Sequence, residues 1–151
     1  MEKKYRLLKK YRLLKNDTIT VDCRFLYRIE ALRDFADVKK GDKGGYVESE
    51  DNLSHVGNCW VFGNACVSGN ACVSDNARVS DNACVSGKAC VSGNARVSGD
   101  AWVFNNACVS GKAWVSGKAR VAGKAWVSDN AKVCGDARIY EGEIESGVIN
   151  K

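Results

Sequence analysis

The chain has 151 residues, a formal net charge of +5 and an apolar fraction of 45%. This is the length of one domain, and the composition is too apolar for a disordered chain. The apolar residues are mostly Val, Ala and Cys, with one Met and no Pro, which points to a narrow interior repeated many times. No apolar run reaches the length of a membrane span. The N-terminus alternates Lys/Arg with Tyr and Leu and does not read as a secretory signal, so a cytoplasmic location with reduced thiols is expected.

The charge is concentrated at the front. Residues 1–15 hold seven Lys/Arg against Glu2, a balance of +6 that leaves the rest near −1. Lys4–Lys9 (KYRLLK) recurs unchanged as Lys10–Lys15. The simplest reading is a spare copy in a solvated basic tail. Drawn as a helix, Tyr5, Leu8, Tyr11 and Leu14 share one face opposite a basic one, so the Lys3–Lys15 tail is also a candidate for nucleic acid, an anionic membrane or a partner. Thr18–Asp22 and Phe25–Ile29 read as a β-hairpin. Ala31–Val38 reads as a short helix or turn and Lys39–Gly45 as a loop. Residues 1–46 thus form a tail and an N-terminal cap.

From Cys59 the sequence cycles with period six: CWVFGN, ACVSGN, ACVSDN, ARVSDN and onward to ARIYEG. Val or Ile fills the third position from Val61 to Ile139, and Ala fills the first from Ala65 to Ala137. Extended backwards, the phase puts Leu53 and His55 inward in one unit and Val47 and Ser49 in another. This gives sixteen units over residues 47–142. Ala-x-Val is a short strand with its first and third side chains on one side. Ser-Gly/Asp-Asn/Lys is a corner whose residues tolerate positive φ. One unit cannot bury a face, but three units closing one triangular coil, with coils stacked, can. Glu143 and Glu145 would fall on inward positions, so residues 143–151 are expected to leave the coil and cover its end.

These residues resemble the hexapeptide-repeat family of left-handed β-helices, in which an inward aliphatic residue follows a small one two positions earlier, as Val67 follows Ala65 and Val73 follows Ala71. The resemblance implies an all-β, single-stranded left-handed β-helix with three hexads per coil. A right-handed, bactofilin-like solenoid is the alternative. The stretches Asp34–Lys39, Gly44–Glu48 and Asn52–Ser54 resemble the leading segment of prophage-associated YdcK-like proteins. That resemblance implies a β-helix behind a cap, of phage or prophage origin, working in a bacterial host cell.

With eighteen residues per coil, the middle strand positions sort into three outer faces. One stacks Trp60, Arg78, Arg96, Trp114 and Lys132. A second stacks Cys66, Cys84, Trp102, Arg120 and Arg138. The third stacks Cys72, Cys90, Cys108 and Trp126. All four tryptophans are expected outside. Trp60, Arg78, Arg96, Trp102, Trp114, Arg120, Trp126, Lys132 and Arg138 are therefore the candidate binding residues, for self-association as a dimer or trimer or for a host protein. Nucleic acid is less favoured, because the repeat region is only weakly basic. A straight row of Cys does not converge on tetrahedral zinc, so no metal or other cofactor is expected. Hexapeptide acyltransferases resemble this scaffold but use a His at a trimer interface. The single His55 falls near the cap and reads as a structural residue, so the expectation is a binding or assembly protein and not an enzyme.

Overall fold

From Cys59 to Ile139 each six-residue unit contributes one short strand and one corner, as its residue types require. The computed structural model describes residues 10–21 and 24–150. It is an all-β parallel solenoid, with one 3-10 turn among the described residues, at Glu50–Asn52. Among the described residues, two long strands, β1 (Tyr11–Val21) and β2 (Arg24–Ala31), form an antiparallel hairpin, and β3 (Lys43–Val47) joins it to the coils. Sixteen short strands follow, from β4 (Trp60–Val61) to β19 (Val148–Asn150). They stack into three sheets, one per side of the coil. No helix of the described residues is long and apolar enough to cross a membrane.

Residues eighteen apart pair in parallel register: Trp60 with Arg78, Arg78 with Arg96, Arg96 with Trp114, and Trp114 with Lys132. The other two sheets repeat this offset, aligning Cys66, Cys84, Trp102, Arg120 and Arg138, and Cys72, Cys90, Cys108 and Trp126. The inward Ala and Val columns from Ala65 to Ala137 are at most 1% exposed. Each buried Val contributes roughly 1.5–3 kcal/mol before the entropy of ordering is subtracted. Backbone amides reach the neighbouring coil, as in Trp102 N–H to Ala119 O at 2.9 Å and Asn106 N–H to Gly123 O at 2.8 Å.

The corners explain the alternation of Gly with Asp or Asn. Asp75, Asp81 and Asn105 hold φ near +60°, and each stacks on a Gly one coil further on: Gly93, Gly99 and Gly123. The Asp75 and Asp81 carboxylates accept the N–H of Gly93 and Gly99 at 3.0 and 3.1 Å. At Gly111 (φ +64°) an added Cβ would lie 2.5 Å from the Asp129 nitrogen, whereas at Gly142 (φ +92°) it would meet nothing within 4 Å. Gly111→Ala should therefore cost more than the roughly 1–2 kcal/mol of left-handed strain alone, and more than Gly142→Ala. Parallel urea titrations of the two variants check the order; equal losses would remove the close-approach argument.

The structure differs from the sequence reading at both ends. In the first coil Val47 pairs with Val67, and Leu53 bridges to Val73. Val47 and Leu53 thus take the Val position, not the Ala position, and two extra residues are absorbed in the corner between Leu53 and Cys59. His55 leaves the interior, and Ser49 caps the 3-10 turn instead of filling the core. The expected loop at 39–45 is partly strand, because Gly44 and Gly45 let β3 approach closely: a Cβ on either would lie 2.4 Å from the Val61 or Ala65 carbonyl. Residues 31–38 form a turn closed by reciprocal backbone bonds between Phe35 and Val38.

At the far end the chain stays in the coil. Glu143 pairs with Trp126, Ile144 with Val127, and Ile149 with Val133. Ile139, Ile144 and Ile149 are five apart, so the last units each drop one corner residue. That slip turns Glu143 and Glu145 outward, which resolves the buried carboxylates that the six-residue phase implied.

Candidate interaction faces

The N-terminal end is closed by side chains from the repeated basic segment. Its first copy, Lys4–Lys9, lies outside the described residues, as does Lys3 before it. The second copy is the start of β1, not a solvated tail or a helix. Lys10 and Tyr11 are fully buried. The Lys10 ammonium donates to Cys59 O at 2.7 Å and Gly57 O at 3.2 Å and sits 4.9 Å from the Phe35 ring centre. Burial holds its pKa below the usual lysine value, against the opposing pull of Cys59. The Tyr11 hydroxyl donates to Leu53 O, and its ring stacks on His55 at 4.1 Å.

His55 is engaged at both nitrogens. Nδ1 accepts the Lys10 N–H at 3.0 Å, which places the proton on Nε2, 2.8 Å from the Glu50 carboxylate. Trp60 was expected on an outer face, but it is 1% exposed, packed edge-on against Tyr11 and Phe35. The hairpin and the turn after it cover that position, and nothing in the six-residue pattern announces them.

The other eight candidates stand in the outward columns that the period assigns. Trp102, Trp114 and Trp126 are 43, 42 and 50% exposed, one on each side of the coil. On one side Arg78 lies over Phe62 (5.4 Å), Arg96 over Trp114 (5.6 Å), and Lys132 over the other reach of Trp114 (5.4 Å). Each such contact contributes about 0.5–1 kcal/mol at an exposed site and holds the long cation against the sheet. Arg78 also pairs with Asp37 at 3.3 Å. Among the described residues no carboxylate lies within ion-pair distance of Arg96.

A groove of about 310 Å³ runs along this side, lined by Phe62, Arg78, Ser80, Arg96, Ser98 and Trp114. A second hollow of about 240 Å³ lies between the same two arginines and Asn58, Asn76 and Asn94. The guanidinium row is thus open from both flanks. Phe62 was missed by sequence reasoning. Its signal was present: Phe62 and Phe104 replace the Ser that usually follows the inward Val, and each packs against an outward residue, Arg78 or Trp102. On the next side Arg120 lies 5.0 Å from the Trp102 ring; Arg138 on that side and Trp126 on the third stand exposed, with no such contact among the described residues.

Cys66 and Cys84, and Cys72, Cys90 and Cys108, fill outward positions on the other two sides, whereas Cys59 lies in the core. The Cys66 thiol is pushed up by its hydrogen bond with Cys84 and then by burial. Cys59, Cys72 and Cys90 are pushed up chiefly by burial, and burial also raises Tyr11. Raised groups stay protonated in the folded chain where the unfolded chain ionises, so their stabilisation is complete below about pH 9 and is lost as pH rises further. Lys10 acts in the opposite sense as pH climbs toward 10.5, but it is one group against five. The melting temperature should fall from pH 8 to 10.5, and Cys66→Val should flatten that fall. A melting temperature that stays level in both proteins would refute the assignment.

Parallel short strands, a repeated corner and side chains displayed in columns define a β-solenoid repeat protein. Residues 71–87 and 89–105 match the family model of the YdcK Beta solenoid repeat. These segments carry Cys72, Arg78, Cys84, Cys90, Arg96 and Trp102, so the similarity covers two stretches that contribute to all three faces. No curated protein matches the chain.

Proposed function

We propose that this protein works without catalysis, as a rigid solenoid of phage or prophage origin that associates through its flat sides. The first partner is a second copy, giving a dimer or trimer in the cytoplasm of a bacterial host. A host protein meeting the same surface is the use such an assembly serves. The observation that carries the reading is Trp114, half exposed on a flat sheet and flanked by Arg96 and Lys132 beside an open groove. Such aromatic and arginine anchors dominate binding energy where they are found together.

Two observations support the non-catalytic part. The histidine that an acyltransferase would need as a base is stacked on Tyr11 and bonded at both ring nitrogens. The grooves lie on flat, open sides and not in a deep cleft. Half of the basic repeat, from Lys10 onward, is built into the hairpin, which weakens a nucleic-acid reading of the tail. Size-exclusion chromatography with light scattering, read at 260 and 280 nm in reducing buffer, tests the proposal. The expected species is a dimer or trimer free of nucleic acid. A strict monomer, or turnover of acetyl-CoA abolished by His55→Ala, would overturn it.

A further inference from the structure

On the Trp126 side, Cys72, Cys90 and Cys108 stand in successive coils as in-register partners. Cys72 and Cys90 are exposed and Cys108 is half-buried. Their thiols make only long contacts with backbone carbonyls: Cys72 to Asp51 O at 3.6 Å and to Asn70 O at 3.8 Å, Cys90 to Lys88 O at 4.0 Å, and Cys108 to Asn106 O at 4.0 Å. All three are free thiols.

The sheet fixes the spacing of the row. Neighbouring strands lie ~4.8 Å apart. At the roughly 2.3 Å of a zinc–thiolate bond, two metal–sulfur bonds laid end to end span about 4.6 Å, which sets the scale for other thiolate-bound ions. A straight row at that pitch suits an ion that takes two ligands in a line, and such ions are soft and select thiolate. A tetrahedral ion finds no place, since among the described residues no three His, Cys, Asp or Glu converge.

We propose that Cys72, Cys90 and Cys108 form a binding row for a two-coordinate soft cation of the copper(I) class, one ion held between Cys90 and either of its neighbouring sulfurs. Cys90 is common to both positions, and one ion is held at a time, because a sulfur between two ions on one straight line would need a flat metal–sulfur–metal angle. The ion displaces two thiol protons and forms two metal–sulfur bonds. The metal keeps its oxidation state throughout. The ion also replaces the repulsion between adjacent thiolates by attraction to a cation between them. The Cys66–Cys84 pair has the same register but lies against the hairpin with Leu26 and Tyr46, so the open row is the one that fills.

The test is an anaerobic titration of the reduced full chain with copper(I) held by a chromophoric bidentate chelator. The wild type should withdraw copper(I) from the chelator, and X-ray absorption should show two sulfur neighbours per ion. Cys90→Ser should lose this uptake, Cys72→Ser should keep its one ion, and Cys84→Ser should match the wild type. Circular dichroism of Cys90→Ser, and a second variant Cys90→Val, separate loss of the site from loss of the fold. Uptake by folded Cys90→Ser equal to the wild type, no uptake by the wild type, or three or more ligands per ion would overturn the proposal.

Discussion

Trp60→Ala is expected to lower the unfolding free energy by about 3–5 kcal/mol, the range for truncating a fully buried large aromatic. Trp60 is sealed against solvent by Tyr11 and Phe35. Removing its ring opens a cavity beneath the hairpin, next to the buried Lys10 ammonium. Water entering there would hydrate Lys10 and loosen its bonds to Gly57 O and Cys59 O. The loss should therefore appear in urea unfolding of the whole chain and as faster amide exchange across β1. Trp102→Ala, on an open side, is the comparison and should cost under about 1 kcal/mol. Equal losses in the two variants would mean that the hairpin does not seal the end.

Trp114→Ala should act on association and leave the fold intact. The ring is 42% exposed and stands on the outer side of the sheet, opposite the buried Val115. If its side is the contact surface, truncation should weaken association by about 2 kcal/mol or more, close to thirtyfold in the dissociation constant. Light scattering across a dilution series measures this. Arg96→Ala should produce a smaller shift in the same direction, and one that high salt diminishes. Trp126→Ala lies on another side and separates a two-fold contact from a packing that uses several sides. An unchanged oligomer in Trp114→Ala with altered assembly in Trp126→Ala would move the contact to the cysteine-bearing side.

The central coils were legible because inside and outside follow from two local facts, strand alternation and a corner every sixth residue. Val97 and Arg96 are adjacent in sequence and opposite in exposure for that reason alone. The Cys72–Cys108 row and the Trp114–Lys132 pair follow from the same count. The misreadings share one cause, which is contact between residues distant in sequence. Trp60 occupies the same position in its unit as Trp114, and the hairpin forty-nine residues back at Tyr11, with the turn at Phe35, makes it core. Lys10 reads as a solvated cation until the carbonyls of Gly57 and Cys59 are brought to it. The slips near Leu53 and Ile144 escape a strict period because short or long corners are invisible until the register of the next coil is known.

The eighteen-residue register gives the chain something like a reading frame. Inserting a full coil between Val103 and Trp114 would lengthen the rod and leave every column aligned. Inserting a single six-residue unit there would keep the interior just as well packed, because Ala and Val recur in every unit. It would nevertheless turn all later residues by one side, taking Trp114 and Lys132 away from Arg96 and setting Trp114 in line with Trp102. Such a protein would fold as before and display a different surface, so natural copies of this rod should change length by eighteens where the pattern on their sides matters and by sixes where only the rod does.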